Sequence, residues 1–399
     1  VPKLVKIPKR EVSTNGSIAK VQLGKSLSRR EATRRKEPLW AGPESNADNG
    51  GVTQSLLGRF LVCRERFRLL VVEGLKESDG YNHRIEYGNM WHVCEEAIAD
   101  RNRMDWDKEL LEYCQQLAKH YKNDQREIEK WYNICKMQFP LYLKRWTGVK
   151  QTKALFQETP FKVQYKLPSG RVVYLRGKMD RVDLEKKTLI LQENKAKGEV
   201  DKEKILRELP FDLQTNLYLV ALHCIQRDHS NLSYKVGMDG CHIGSVRYNV
   251  IKRPLSGRGE GNIRKREGRG KAKVGAETDA EFYTRIGSVI EENMGEFFFR
   301  FNMEVSERES AAFQQRSLDP ILEQLCDWWE YISLNPFAPW DITGDDMRDY
   351  SPEAPPHFLM PYGIWSPLLE GRTGPLDDYM ATGDEAGLTR TDSLFRELA

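Results

Sequence analysis

The sequence has no apolar run near the length of a membrane span, no close Cys-x-x-Cys pair among its seven cysteines and no visible internal repeat. The first absence argues against a transmembrane protein. The second argues against a disulfide framework and makes a reducing compartment the expectation. The first residues, "VPKLVKIPKR", lack the apolar stretch of a secretory signal, so a cytoplasmic location is expected. A phosphate-binding loop is also missing. "AKVQLGKS" (19–26) comes near one, but it begins with Ala19 instead of Gly and follows no apolar strand, so an ATP-driven motor is not expected.

Net charge is small, +3, yet unevenly spread. Val1–Lys36 carries eleven Lys/Arg against two Glu, and Lys252–Lys273 nine against two. From Asp341 onward twelve Asp/Glu face four Arg. Two basic segments suit a polyanion and the acidic tail does not. Residues 1–50 read as a basic, mostly disordered segment, 51–340 as the folded domain with a basic mobile loop at 252–276, and 341–399 as an acidic Pro/Gly-rich tail.

"TQSLLGRFLVCRERFRLLVVEGL" has helical spacing after a Thr that can cap it. Further helices are predicted from near Glu86, around 106–122 and around 124–147. Short β-branched runs follow: "FKVQYKL", "RVVYLRGKMDRVDL" and "KTLILQENK". A helix is predicted at 212–227, strands near 233–237 and 244–251, a helix at 278–291, a strand at 297–305 and a last helix at about 307–333. The order suggests one α/β domain with a helical N-terminal part.

The chemistry concentrates in "GKMDRVDLEKKTLILQENKAKG" (177–198). Glu193 and Lys195 are two apart, so in a strand they share a face. With an even-length hairpin loop, Leu184 to Lys187, Asp180 falls opposite Leu191 and Glu193 is its diagonal neighbour on the same face. Two carboxylates that close repel, and a hard divalent cation such as Mg2+ or Mn2+ removes the repulsion. Such an ion also activates water and stabilises charge on a phosphoryl oxygen, while a lysine beside it orients the water or offsets that charge. Two acids and one Lys thus fit metal-dependent phosphodiester hydrolysis, the alternative being a surface ion-pair cluster. In "GNMWHVCEE", His92 and Glu96 lie on one helical face, with Gly88 one turn earlier leaving room for close approach. His92 is a further candidate ligand, or else a histidine satisfied by Glu96. Gln214 and Tyr218, four apart on a later helix, could hold a catalytic group or a phosphate, or form a plain surface pair.

In this order the pieces resemble the RecB-like branch of the PD-(D/E)XK nuclease superfamily, which includes CRISPR-associated and phage exonucleases. The matching stretches are "SLLGRFLVCRERF", "YGNMWHVCEEA", "LRGKMDRVD", "QENKAK" and "LQTNLYLVAL". The resemblance implies a restriction-endonuclease-like mixed β-sheet core flanked by helices. It makes His92, Asp180 and Glu193 metal ligands for Mg2+ or Mn2+, with the Asn194 backbone carbonyl as a fourth. Lys195 becomes the catalytic lysine, and Gln214 and Tyr218 the supporting motif. It implies DNA ends, single- or double-stranded, as substrate in recombination, repair or phage DNA processing, and a helicase or recombination partner. Glu193 stands where many relatives have Asp. Some relatives hold an iron–sulfur cluster, but Cys63, Cys224, Cys241 and Cys326 are too scattered for one to be expected.

The basic stretch after Lys252 reads as a solvated connector or as a backbone-directed nucleic-acid clamp using Arg264, Lys265, Arg266 and Arg269. "CDWWEYISLNPFAPW" reads as a helix docked by its aromatics. The expected activity is metal-dependent DNA cleavage. The alternative is a catalytically inactive nucleic-acid-binding or assembly module on the same fold.

Overall fold

The computed structural model describes residues 38–62, 64–77, 80–99, 105–147, 153–227, 237–238, 240–254, 278–334 and 388–390. Arg264, Lys265, Arg266, Arg269 and Cys63 lie outside the described residues, as do the strand expected near 233 and all of the acidic tail except Leu388–Arg390.

The fold begins before residue 51. Trp40 is fully buried, its Nε1 donates to the Gly51 carbonyl at 2.9 Å, and its ring packs edge-on to Phe67 and Trp329. Arg176 Nη1 donates to Gly50 O at 2.8 Å. One indole and one guanidinium thus draw residues 38–50, grouped by composition with the basic N-terminal segment, into the folded body.

Helix α1 (Gln54–Val62) buries Leu56, Leu57 and Phe60. Helix α2 (Arg64–Phe67) continues as a π-helical turn to Val72, and β1 (Leu75–Glu77) pairs antiparallel with β7 (Leu388–Arg390). Three helices follow: α3 (His83–Ala99), α4 (Trp106–His120) and α5 (Gln125–Arg145). They pack on one another through Tyr87, Met90, Trp91, Leu110, Ile134 and Phe139.

The sheet comes next. β2 (Lys153–Lys166) and β3 (Val172–Glu185) form a long antiparallel pair. β3 turns into β4 (Thr188–Lys197). Helices α6 (Lys202–Glu208) and α7 (Leu213–Arg227) lie between β4 and β5 (His242–Lys252), which runs parallel to β4. After α8 (Asp279–Glu292), β6 (Phe298–Glu304) closes the order β2-β3-β4-β5-β6 antiparallel to β5. Helices α9 (Glu307–Phe313) and α10 (Asp319–Leu334) end the domain, and α10 docks through buried Trp328 and through Trp329. This is the mixed, helix-flanked sheet expected. The short polar helix α6 was not foreseen. No helix among the described residues is long and apolar enough to cross a membrane.

The two faces of the sheet enter different cores. Val182, Leu189, Leu191 and Val246 pack with α1, α7 and α10, whereas Ala196, Ile251 and Phe298 pack with α3, α5 and α8. The period of two along each strand makes this sorting.

The hairpin register corrects the sequence expectation. The ladder runs to Glu185↔Thr188, so the loop is Lys186–Lys187 and not 184–187. Lys186 takes φ 56°, the left-handed conformation a tight two-residue turn needs. The longer ladder pairs Leu184 with the fully buried Leu189. Parity is unchanged, so faces are kept, but Asp180 moves by two residues. It now stands opposite Glu193, one step beyond the last pair Arg181↔Gln192.

Candidate metal centre

Beyond Arg181↔Gln192 the two central strands part. β3 continues along β2, and β4 continues along β5 as far as Lys197↔Lys252. The site forms at this fork. Glu158 sits between the pairs Gln157↔Arg181 and Thr159↔Met179, so the register aligns Glu158, Asp180 and Glu193 across three adjacent strands. Glu158, Asp180 and Glu193 are 8 %, 7 % and 1 % exposed, so all three carboxyl groups depend on neighbouring cations and donors in place of water.

His92 comes from α3, whose Tyr87, Met90, Trp91 and Cys94 are buried. Its Nδ1 lies 2.7 Å from Glu158 Oε1. Ligand atoms of His92, Glu158 and Asp180 all fall within 4.8 Å of one another. Glu96 is exposed, so the expected partner of His92 is replaced by a residue from another strand. Gly88 also differs from expectation, since a Cβ there would meet nothing within 4 Å.

The second half of the site is held by α7. Lys195 Nζ donates to Glu193 Oε1 and, at 2.8 Å, to Gln214 Oε1. Gln214 Nε2 donates to the same Glu193 oxygen at 2.5 Å. Asp212 caps α7, its Oδ2 accepting from Thr215 N at 2.8 Å and Thr215 Oγ1 at 2.7 Å. Tyr218 packs edge-on to Phe161 beneath the site. Gly177 permits this approach, because a Cβ there would lie 2.9 Å from both rings. The backbone N–H of Asn194 donates to Asp180 Oδ2 at 2.6 Å, and its side-chain Oδ1 accepts from Gln192 (3.1 Å) and Asn249 (2.8 Å) on the opposite face.

Electrostatics follow from burial and proximity. Burial, then the neighbouring Asp180 charge, pushes the Glu193 carboxyl up to about 8, against the pull of Lys195. Burial, with Glu158 adding to it, raises Asp180 as well. For His92, burial works downward but is outweighed by the Glu158 bond and the Asp180 charge, which hold it at about 9. Glu158 stays below the ordinary carboxylate range despite burial, because His92 and Lys178 (Nζ 2.8 Å from Oε2) favour its charged form. Protonated, His92 joins Lys178 and Lys195 as a third cation facing three acids.

These residues fit a divalent ion. Oε2 of Glu193 is buried, and no hydrogen-bond partner reaches it among the described residues. An orphaned carboxylate oxygen costs about 1–3 kcal/mol or more, and a cation satisfies it. The donor set is oxygen and imidazole, which suits Mg2+ or Mn2+.

The structure therefore brings Asp180 together with His92, and through the Asn194 N–H with β4, while Glu193, Lys195 and Gln214 form a second hydrogen-bonded group beside them with Tyr218 beneath. Glu193 is not among the ligand atoms that fall within 4.8 Å of one another, where Glu158 stands instead. The sequence reading missed Glu158 and Lys178. Lys178 shares the face of Asp180 two residues on, a findable signal, whereas Glu158 lies in an edge strand with no motif around it.

A family model described as the PD-(D/E)XK nuclease superfamily matches residues 52–327, and no curated protein matches the chain. The match covers most of the chain, including every strand from β2 to β6 and the helix bearing His92. Asp180, Glu193 and Lys195 at the strand fork stand inside it, as does the His92–Glu158–Asp180 group, and the chain belongs to the PD-(D/E)XK nuclease superfamily of metal-dependent nucleases.

Proposed function

We propose that the protein is a Mg2+- or Mn2+-dependent deoxyribonuclease of the RecB-like type, acting as an exonuclease on DNA ends. The ion would be held by His92, Asp180, Glu193 and the Asn194 carbonyl. When bound, it supplies an activated water and neutralises charge on the phosphoryl oxygens. The observation that carries the reading is the unpartnered Glu193 Oε2 beside Asp180, on the face shared with Lys195.

The chain's own groups then have separable tasks. Lys195, fixed between Glu193 and Gln214, directs an ammonium proton toward the attacking water or the developing oxyanion. Gln214 keeps Lys195 and Glu193 in register. Tyr218 and Phe161 close the floor of the site against water. Exonuclease action and a role in recombination, repair or phage DNA processing with a helicase-type partner rest on the motif resemblance.

The test is cleavage of end-labelled linear DNA and of closed circular DNA of the same sequence, with Mg2+, Mn2+ or EDTA, by wild type and Lys195→Ala. Metal-dependent loss of linear DNA alone, abolished in the variant with DNA binding kept, is expected. Cutting of the circle would replace exonuclease by endonuclease. No metal-dependent cleavage by wild type, with salt-sensitive DNA binding intact, would leave a binding module.

A further inference from the structure

Glu158 holds a left-handed backbone, φ 46°, within a strand whose pairing is intact on either side. A non-glycine residue there is strained, and such strain persists only where surrounding contacts impose it. The contacts are specific. Oε1 meets His92 Nδ1 at 2.7 Å, and Oε2 accepts from Lys178 Nζ at 2.8 Å. Both oxygens are thus turned to other groups, unlike Glu193, whose Oε2 is open. The carboxylate lies within 4.8 Å of Asp180, yet both its oxygens are already engaged.

We propose that Glu158 is a positioning residue. It accepts the Nδ1–H of His92 and thereby fixes the imidazole so that Nε2 faces the divalent ion. The inference rests on the metal centre proposed above, and it adds which nitrogen binds and what holds it there. A carboxylate behind a histidine ligand sets tautomer and ring orientation and strengthens the donor nitrogen, and its loss weakens metal affinity by about 10–100-fold.

The left-handed backbone supplies a clean test. Glycine adopts φ 46° without strain, so Glu158→Gly removes the carboxylate while relieving the backbone. Glu158→Gln keeps an oxygen acceptor at the same reach. Mn2+ affinity is measured on the full chain by electron paramagnetic resonance of free Mn2+, together with the melting temperature. The Gly variant should bind Mn2+ about 10–100-fold more weakly while still unfolding in one cooperative transition, and the Gln variant should lose less than about tenfold. In histidine-15N-labelled protein loaded with Cd2+ as a diamagnetic probe, the His92 Nε2 resonance should shift while Nδ1 keeps its proton.

Each contrary result overturns the assignment. Wild-type affinity in the Gly variant would make Glu158 structural only. A Gln variant as weak as the Gly variant, or a metal-shifted Nδ1, would make Glu158 a ligand itself. Failure of wild type to bind Mn2+ at all would remove the metal centre along with its support.

Discussion

Replacing Lys195 by Met should move metal affinity and catalysis in opposite directions. The substitution keeps the apolar stem and removes the charge. Lys195 Nζ sits on Glu193 Oε1 and 2.8 Å from Gln214 Oε1, beside the carboxylate that would bind the ion. Two unit charges about 4 Å apart repel by about 1 kcal/mol in water and about 4 kcal/mol at an effective dielectric of 20. Relief of that repulsion raises Mn2+ affinity by roughly tenfold or more, since 1.4 kcal/mol is a factor of ten. Removing one member of a buried ion pair also destabilises the metal-free protein, by about 3–5 kcal/mol in comparable cases, and bound Mn2+ should restore much of this. Cleavage at saturating Mn2+ should fall by about 10²–10³, the loss seen when one donor to a developing oxyanion is removed. Mn2+ titration and single-turnover cleavage of end-labelled DNA measure the two effects separately. Weaker Mn2+ binding in the Met variant would refute the placement of Lys195 beside the ion. Unchanged cleavage would refute its part in the chemistry.

The metal-free protein should lose stability as pH rises. His92 is raised from 6.5 to about 9, so its contribution is full below pH 6.5 and lost through pH 9, on the order of 3 kcal/mol. Glu193, raised from 4.5 to about 8, acts in the same direction between those values. Mn2+ must displace these protons, so its stabilising shift in melting temperature should grow from pH 6 to pH 9, and a shift that shrinks would contradict the assignment. Gly177→Ala should drive a methyl into Phe161 and Tyr218, costing about 1–3 kcal/mol by chemical denaturation, and a neutral result would show that α7 shifts freely on β3. Trp40→Ala should cost about 3–5 kcal/mol, whereas a loss below 1 kcal/mol would place residues 38–50 outside the cooperative unit.

Much of the site was legible because its pieces are local. Glu193 and Lys195 needed only the period of a strand, and Gln214 and Tyr218 only the period of a helix. The face shared by Asp180 and Glu193 needed only an even loop, so it survived the error in loop length. What was illegible depends on the fork between β3 and β4. The change from diagonal to directly opposed acids followed from a two-residue turn at Lys186, a lysine whose left-handed backbone no composition rule announces. Residues 38–50 were misgrouped because their charge resembles the preceding segment, while one buried indole decides their placement.

Glu158 shows the deeper reason. Its partner His92 is 66 residues away and its neighbour Lys178 lies on another strand, so no spacing rule connects them. Yet charge argues for such a residue. Against burial, the Glu158 hydrogen bond does most to keep the His92 proton, ahead of the charges of Asp180, Glu158 and Glu193. Glu158 makes that bond and is itself balanced by Lys178. The metal-free centre then has three acids facing three cations, one of which, the His92 proton, can leave. If His92 gave up that proton to a divalent ion, one net positive charge would be gained, and the proton held by Glu193 could leave to cancel it. The arrangement would thus take up an ion through two proton losses, with His92 keeping its Nδ1 bond to Glu158 throughout.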